Sequence, residues 1–227
     1  MSYNSGGRLV SDNLVMYLDA GNIKSHFSGS STWTDISRNN VSASLLNGPT
    51  FSSLNGGYLT FDGSNDYCSI ANPSTITGSQ VSFCVWNTVL SNTVSTFTVY
   101  LEGSGGARIF AVSIPWGGNN TVYFDAGNGT GAFDRINKGY EGSGWQYWVF
   151  TKNATAGTMR IYLNGNLWHS GTGLNAPIGT ATTGYIATLP SSGYTNSRIS
   201  MMKFYNKELS ATEILNNYNV TKKRFGL

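Results

Sequence analysis

The stretch "TMRIYLNGNLW", residues 158–168, decides the fold class. Met159, Ile161 and Leu163 alternate with Thr158, Arg160 and Tyr162, so successive side chains take opposite faces of an extended strand. Asn164-Gly165 then falls where a two-residue hairpin needs φ > 0 at both positions, and "NLW" restarts the strand. A strand of this kind buries one side and wets the other, as antiparallel sheets do. The pattern continues outward. "QVSFCV" (80–85) places Val81, Phe83 and Val85 together, and "TFTVYL" (96–101) places Phe97, Val99 and Leu101 opposite Thr96 and Thr98. "WQYWVFT" (145–151) is apolar on both faces and is expected to run centrally between layers. Asn47-Gly48, Asn55-Gly56, Asp62-Gly63 and Asn128-Gly129 mark further turns. About twelve strands at this regular spacing predict an all-β sandwich or jelly roll.

The totals agree with one such domain. The chain has 227 residues, no proline-rich linker and no composition shift. Charged residues make up 11% of it, against roughly 25% in ordinary soluble domains. The net charge of +3 is matched by Lys222, Lys223 and Arg224 alone, so the body is near neutral. Nucleic-acid binding, which needs a basic stripe across the fold, is not expected. Neither is membrane insertion, because no segment approaches the roughly 20 apolar residues of a span. "MSYNSGGRLV" has no apolar run of signal-peptide length, which predicts synthesis in a cytoplasm. Cys68 and Cys84 read as buried core thiols, with a disulfide between neighbouring strands left open.

One segment reads as helix. In "LSATEILNNYNVTKKRFGL" (209–227), Ser210 and Glu213 have the spacing of a capping box, and Leu209 and Ile214 that of a hydrophobic staple. Ile214, Leu215 and Tyr218 form its apolar face, and the helix is expected to end near Asn219. About ten residues of helix are not stable alone, so it should pack on the sandwich and cover an edge or end of the sheets. The division this suggests is an N-terminal arm (1–12), a jelly-roll domain (13–220) and a basic C-terminal tail (221–227).

In order along the chain, "LVMYLDAGN", "TWTDIS", "GGYLTFDGSNDYCSI", "GWQYWVFTKNATAGTMRIYLNGNL" and "FYNKELSATEILNNYNVTKKRFG" resemble a laminin-G-like, concanavalin A-like jelly-roll domain. The resemblance spans about Leu14 to Gly226. The version with "YLDAGN" early and a "NYNVTKKRFG"-like ending is similar to stand-alone domains of tailed-phage virion proteins. It implies two facing antiparallel sheets and a ligand on a concave face or at rim loops. Related domains often carry His after the Trp of the "GWQYWVF" strand, where this chain has Tyr147 and Trp148.

Glycosidases of this fold use two carboxylates on one strand face, flanking a glycosidic bond. The four glutamates, Glu102, Glu141, Glu208 and Glu213, have no carboxylate partner two to four residues away, so a non-enzymatic chain is expected. His26 and His169 stand apart from any nucleophile motif and read as surface or satisfied residues. No cofactor is required. Calcium is the optional one, since the resemblance implies rim-loop oxygen ligands, and its candidates are Asp62, Asp66, Asp125 and Asp134. Asp62 equally suits a structural turn, its carboxylate bonding the backbone just ahead.

Sugar sites stack an aromatic ring on a pyranose and surround it with amides and carboxylates. "PWGGNNTVYFDAGNGTG" (115–131) supplies Trp116, Asn119, Asn120, Asp125 and Asn128, and "NLWHSG" adds Trp168. Both tryptophans could equally be core residues; Trp33, Trp145 and Trp148 are expected in the core. The function expected is that of a virion structural or accessory protein, in capsid decoration or a tail or fibre, aiding adhesion to host glycan. The alternative is a soluble lectin-like module. Expected partners are other virion proteins, reached through Lys222, Lys223 and Arg224, further copies of the chain, and host glycan. The expected location is the virion surface.

Overall fold

A computed structural model describes residues 7–189 and 192–227. In chain order the strands begin β1 (Leu14–Asp19), β2 (Thr32–Trp33), β3 (Ala43–Leu46), β4 (Thr50–Ser52), β5 (Tyr58–Asp62) and β6 (Tyr67–Ile70). Next come β7 (Gln80–Ser91), β8 (Val99–Glu102), β9 (Arg108–Trp116), β10 (Thr121–Gly127), β11 (Phe133–Gly139) and β12 (Gln146–Asn153). The series closes with β13 (Thr158–Leu163), β14 (Asn166–Thr172), β15 (Thr183–Ile186), β16 (Thr188–Leu189), β17 (Ser192–Tyr194) and β18 (Asn196–Tyr205). The single α-helix among the described residues, α1 (Ala211–Thr221), follows, and a 3-10 turn (Lys222–Phe225) extends it.

Sixteen of these strands make two eight-stranded antiparallel sheets, and β16 and β17 pair as a separate ribbon. Sheet I runs β14-β13-β12-β7-β18-β5-β4, with β1 also on β18, and sheet II runs β11-β10-β9-β8-β15-β6-β3-β2. The all-β sandwich with one C-terminal helix is therefore as the sequence predicts, although strands outnumber the expected twelve. The extra ones include β2 and β16, of two residues each, too short to show alternation.

The core between the sheets follows the alternation. Val81, Phe83 and Val85 of β7 and Met159 and Ile161 of β13 meet Phe110 and Val112 of β9 and Phe124 of β10. Phe83 anchors it, with ring centroids 4.7 Å from Phe204 on its own sheet and 6.0 Å from Phe110 on the other. The doubly apolar strand β12 does lie between two layers. Trp148 and Phe150 enter the inter-sheet core, while Tyr147 and Val149 enter a second cluster on the outer face of sheet I. Phe97 departs from its expected face. It precedes β8 and packs outside sheet II with Tyr100 and Ala111, away from Val99 and Leu101.

That second cluster is where α1 docks. The capping box forms, Glu213 donating its amide to Ser210 Oγ at 3.3 Å and Ser210 its amide to Glu213 Oε2 at 2.9 Å. Leu209 and Ile214 are both buried. The helix covers the outer face of sheet I, with Trp86, Tyr147, Met201 and Tyr205 beneath it, and not a sheet edge as expected. It also runs two residues past Asn219. Leu215 is 44% exposed, and the buried positions are taken instead by Asn217 and Thr221. The reason is hydrogen bonding: Trp86 donates its indole N–H to Thr221 Oγ1 (2.8 Å), and Asn217 Oδ1 accepts the Val10 amide (2.9 Å). Of the predicted N-terminal arm, residues 1–6 lie outside the described residues. Further on, Tyr205 donates its hydroxyl to the Val10 carbonyl, and Asn216 its amide to the Arg8 carbonyl, tying this segment to α1 and β18.

The basic tail is not a free hook. Phe225 stacks on Trp86 at 4.1 Å and on Trp145 at 4.8 Å. Arg224 makes a two-point ion pair with Asp19 (3.0 and 2.9 Å) and donates to the Gly56 carbonyl. Lys222 sits over the Tyr218 ring, leaving Lys223 as the exposed cation of the three. Cys68 and Cys84 are buried free thiols, one in the inter-sheet core and the other under the helix.

Candidate functional site

The alternation that builds the core also fixes what sheet II shows on its other face. In β10, Val122, Phe124 and Ala126 point into the core, so Tyr123 and Asp125 point out. Antiparallel register sets Arg135 of β11 directly opposite Asp125. An outward carboxylate mid-strand with a cation ten residues later is a signal the sequence carried, and it was missed. Phe97, Arg108, Trp116, Tyr123 and Arg135 line a cleft of about 260 Å³ on this face.

Asp125 is its anchor. The residue is fully buried at 0% exposure, and both carboxylate oxygens are engaged. Arg135 donates from Nε to Oδ1 (2.7 Å) and from Nη2 to Oδ2 (2.8 Å), while Arg108 Nη1 donates to Oδ2. The hydrogen bonds that Arg135 donates to Asp125 raise its pKa above the ordinary value. The guanidinium of Arg108 lies over Phe97 (5.0 Å) and Phe133 (4.6 Å), and that of Arg135 over Tyr123 (4.8 Å). Two cations are thus held in fixed planes by a carboxylate beneath and aromatic rings beside them.

The wall opposite is Trp116, at the end of β9, 5.5 Å from Phe97 and 6.4 Å from Tyr123 between ring centroids. The hairpin Gly117–Asn120 positions it. A Cβ on Gly117 would stand 2.4 Å from the Asn92 carbonyl oxygen, so only glycine lets this turn close on the 92–95 segment. The contact is secured by Asn92 donating to Asn120 Oδ1 (2.7 Å) and by the Gly118 amide donating to Ser95 Oγ (3.2 Å).

Among the six residues read as sugar-binding, the structure brings together Trp116, Asn119 and Asn120 at the cleft rim. There Asn119 donates to the Tyr123 hydroxyl and Asn120 is committed to Asn92. Asp125 belongs to the same site as the buried anchor and offers no free acceptor. Asn128 follows β10 at the end away from Trp116, and its carboxamide oxygen accepts from the Thr130 amide (3.0 Å). Trp168 is also apart, on β14 of sheet I, edge-on to Trp148 at 5.2 Å and under the Lys138 ammonium.

The calcium candidates are scattered. Asp125 is held by its arginines, and Asp134 accepts from the buried Lys152 and from the Ala176 amide. Asp62 and Asp66 share one turn. Asp62 Oδ1 accepts the Ser64 amide (2.8 Å), which lowers its pKa, and Asp66 Oδ2 accepts the Asp62 amide (3.2 Å). This is the structural arrangement that Asp62 suited. Among the described residues no group of three His, Cys, Asp or Glu side chains is placed to hold a metal ion. His26 is buried beside Phe51, with Nδ1 3.2 Å from the Thr32 carbonyl oxygen.

A family model described as "Concanavalin A-like lectin/glucanases superfamily" matches residues 62–215. No curated protein matches the chain. Among solved structures, it is similar to the binding domain of botulinum neurotoxin DC in complex with SialylT (TM-score 0.72, 14% identity). That match covers 93% of this chain and 52% of the other. The same domain in complex with rat synaptotagmin II matches equally (TM-score 0.72, 15% identity, 93% and 52%). The type G receptor-binding domain follows (TM-score 0.70, 16% identity, 92% and 51%). The chain spans about half the length of these structures, and the likeness is one of fold.

Proposed function

The chain belongs to the concanavalin A-like lectin/glucanase superfamily, and from that premise we propose that it is a non-enzymatic saccharide-recognition module whose site is the arginine–aromatic cleft of sheet II. One observation carries the proposal: three aromatic rings wall a cleft of about 260 Å³ whose polar floor is held rigid by Asp125. This volume lies just below the roughly 300–1,000 Å³ of drug-sized sites and suits a single sugar ring stacked on Trp116 or Tyr123. The cleft's one carboxylate is buried and paired, with no second beside it among the lining residues, which supports binding over glycoside hydrolysis. That solved structures of the same fold are described as receptor-binding domains supports it too.

A glycan array read with the native chain and with Trp116→Ala tests this reading. Native binding reduced at least about tenfold in the variant is expected from the loss of one stacked ring. Native binding that survives Trp116→Ala unchanged would move the site elsewhere. The wider setting we propose is the surface of a tailed-phage particle, reached after synthesis in the host cytoplasm, where copies of the chain associate with capsid or tail proteins. The motif order from "YLDAGN" to "NYNVTKKRFG" and the 11% charged content support it. Mass spectrometry of purified virions should find the chain in many copies; its absence would refute this setting.

A further inference from the structure

Resting on the reading of the cleft as a saccharide site, we propose that its ligand is an acidic sugar, whose carboxylate or sulfate is received by Arg108 and Arg135. Neutral sugars present hydroxyls that both donate and accept, and sites for them mix acceptors with donors. This cleft is unbalanced. Its one carboxylate, Asp125, is saturated by the two guanidiniums. The arginines keep most of their five N–H groups each for something else. Arg108 commits only Nη1 to Asp125, and Arg135 only Nε and one Nη2 hydrogen. Two positive charges against one negative leave the site net cationic where the arginine side chains are only 22% and 40% exposed. Partial desolvation strengthens an ion pair formed there, and the planar guanidinium fork matches a carboxylate or sulfate oxygen pair.

Preorganisation adds to the argument. Arginine ordinarily loses rotamer freedom when it binds an anion, but here Asp125 has already fixed both planes, and Phe97, Tyr123 and Phe133 hold them by stacking. An acidic sugar can then place its ring on Trp116 and its anionic group over the paired guanidiniums, so one small cleft reads both features.

The test is an array carrying uronate-bearing, sialic-acid-bearing, sulfated and neutral saccharides, probed with the native chain, Arg135→Gln, Arg135→Lys and Lys24→Gln. Lys24 is exposed and outside the cleft, and its variant removes the same unit charge. Expected is selective binding of acidic saccharides, reduced about tenfold or more in Arg135→Gln, partly restored in Arg135→Lys and within about twofold of native in Lys24→Gln. Whether the carboxylated or the sulfated spots retain signal identifies the anion. Binding should also weaken between about 0.1 M and 1 M salt, as the screening length falls from about 10 Å to about 3 Å. Thermal melts of each variant confirm folding, and Arg135→Lys keeps the charge if Arg135→Gln does not fold. Binding confined to neutral saccharides and lost in Trp116→Ala would overturn the acidic-sugar assignment and leave the saccharide site standing. No binding to any saccharide would overturn both.

Discussion

Lys203 is 1% exposed on β18, between Tyr17 of β1 and Cys84 of β7 in the ladder. Its ammonium has no carboxylate within ion-pair distance among the described residues. It rests on Met201 Sδ at 3.0 Å and over the Tyr17 ring at 4.8 Å. Burial lowers its pKa from 10.5 to about 8, with Cys84 and Asp19 opposing and Arg224 assisting. A gap of about 2.5 units corresponds to roughly 3 kcal/mol of unfavourable charge burial in the folded state. Lys203→Met keeps a straight apolar chain and removes the charge, so at pH 7 it should stabilise the domain by about 2–3 kcal/mol. In a domain of this size that is a rise of roughly 5–10 °C in Tm. The pH dependence carries the sign. Below about pH 8 both folded and unfolded chains hold the proton and the full penalty applies. Between about 8 and 10.5 the folded chain releases it first, so Lys203 costs progressively less stability as pH rises. The advantage of the variant should therefore fade across that window. Cys84, raised by burial to about 11, and the half-buried Tyr17 and buried Tyr147 and Tyr205, also raised by burial, hold their protons to higher pH in the folded chain and destabilise it at high pH. The comparison must accordingly be the native chain against the variant at each pH, by urea denaturation. A Lys203→Met domain less stable than native at pH 7 would show that the Tyr17 and Met201 contacts outweigh desolvation, and would refute the reasoning.

Asp125→Ala removes the anchor and leaves the half-buried Arg108 facing the exposed Arg135; a loss of about 3 kcal/mol in denaturation, together with loss of glycan-array signal, is expected. Thr221→Val keeps the shape but takes the acceptor from the buried Trp86 indole N–H, and should cost about 1–3 kcal/mol by the same assay.

The fold was legible because it rests on local repetition. "TMRIYLNGNLW" and "QVSFCV" each state their own inward face, and the Ser210–Glu213 capping box states where the helix begins. What the helix covers was less legible, since Asn217 and Thr221 are buried through partners 12 and 135 residues away. The cleft divides the same way. Trp116, Asn119 and Asn120 share one hairpin, so their nearness in space could be read from the sequence. Arg108 and Arg135 act through Asp125 across strands, and Phe97 reaches them only because the segment before β8 leaves the alternation. Asn128, read from the sequence with the same group, lies just past the far end of β10, where its carboxamide oxygen accepts from Thr130 in its own turn.

The two outer sheet faces explain why the site lies where it does. Sheet I is covered by α1 and the 3-10 turn, with Trp86, Tyr147 and Phe225 sealed beneath them. Its central strands are therefore buried on both sides and offer no open surface at that place. Among the described residues no helix covers the outer face of sheet II; Phe97, Tyr100, Arg108, Tyr123 and Arg135 pack on one another there, and the 92–97 segment closes one side. A buried carboxylate between two arginines is costly to assemble and, where stability alone is at stake, often replaceable by apolar packing. Its presence under a cleft on the outer face of sheet II fits the recognition site proposed above, because it holds charged donors still without consuming all of them.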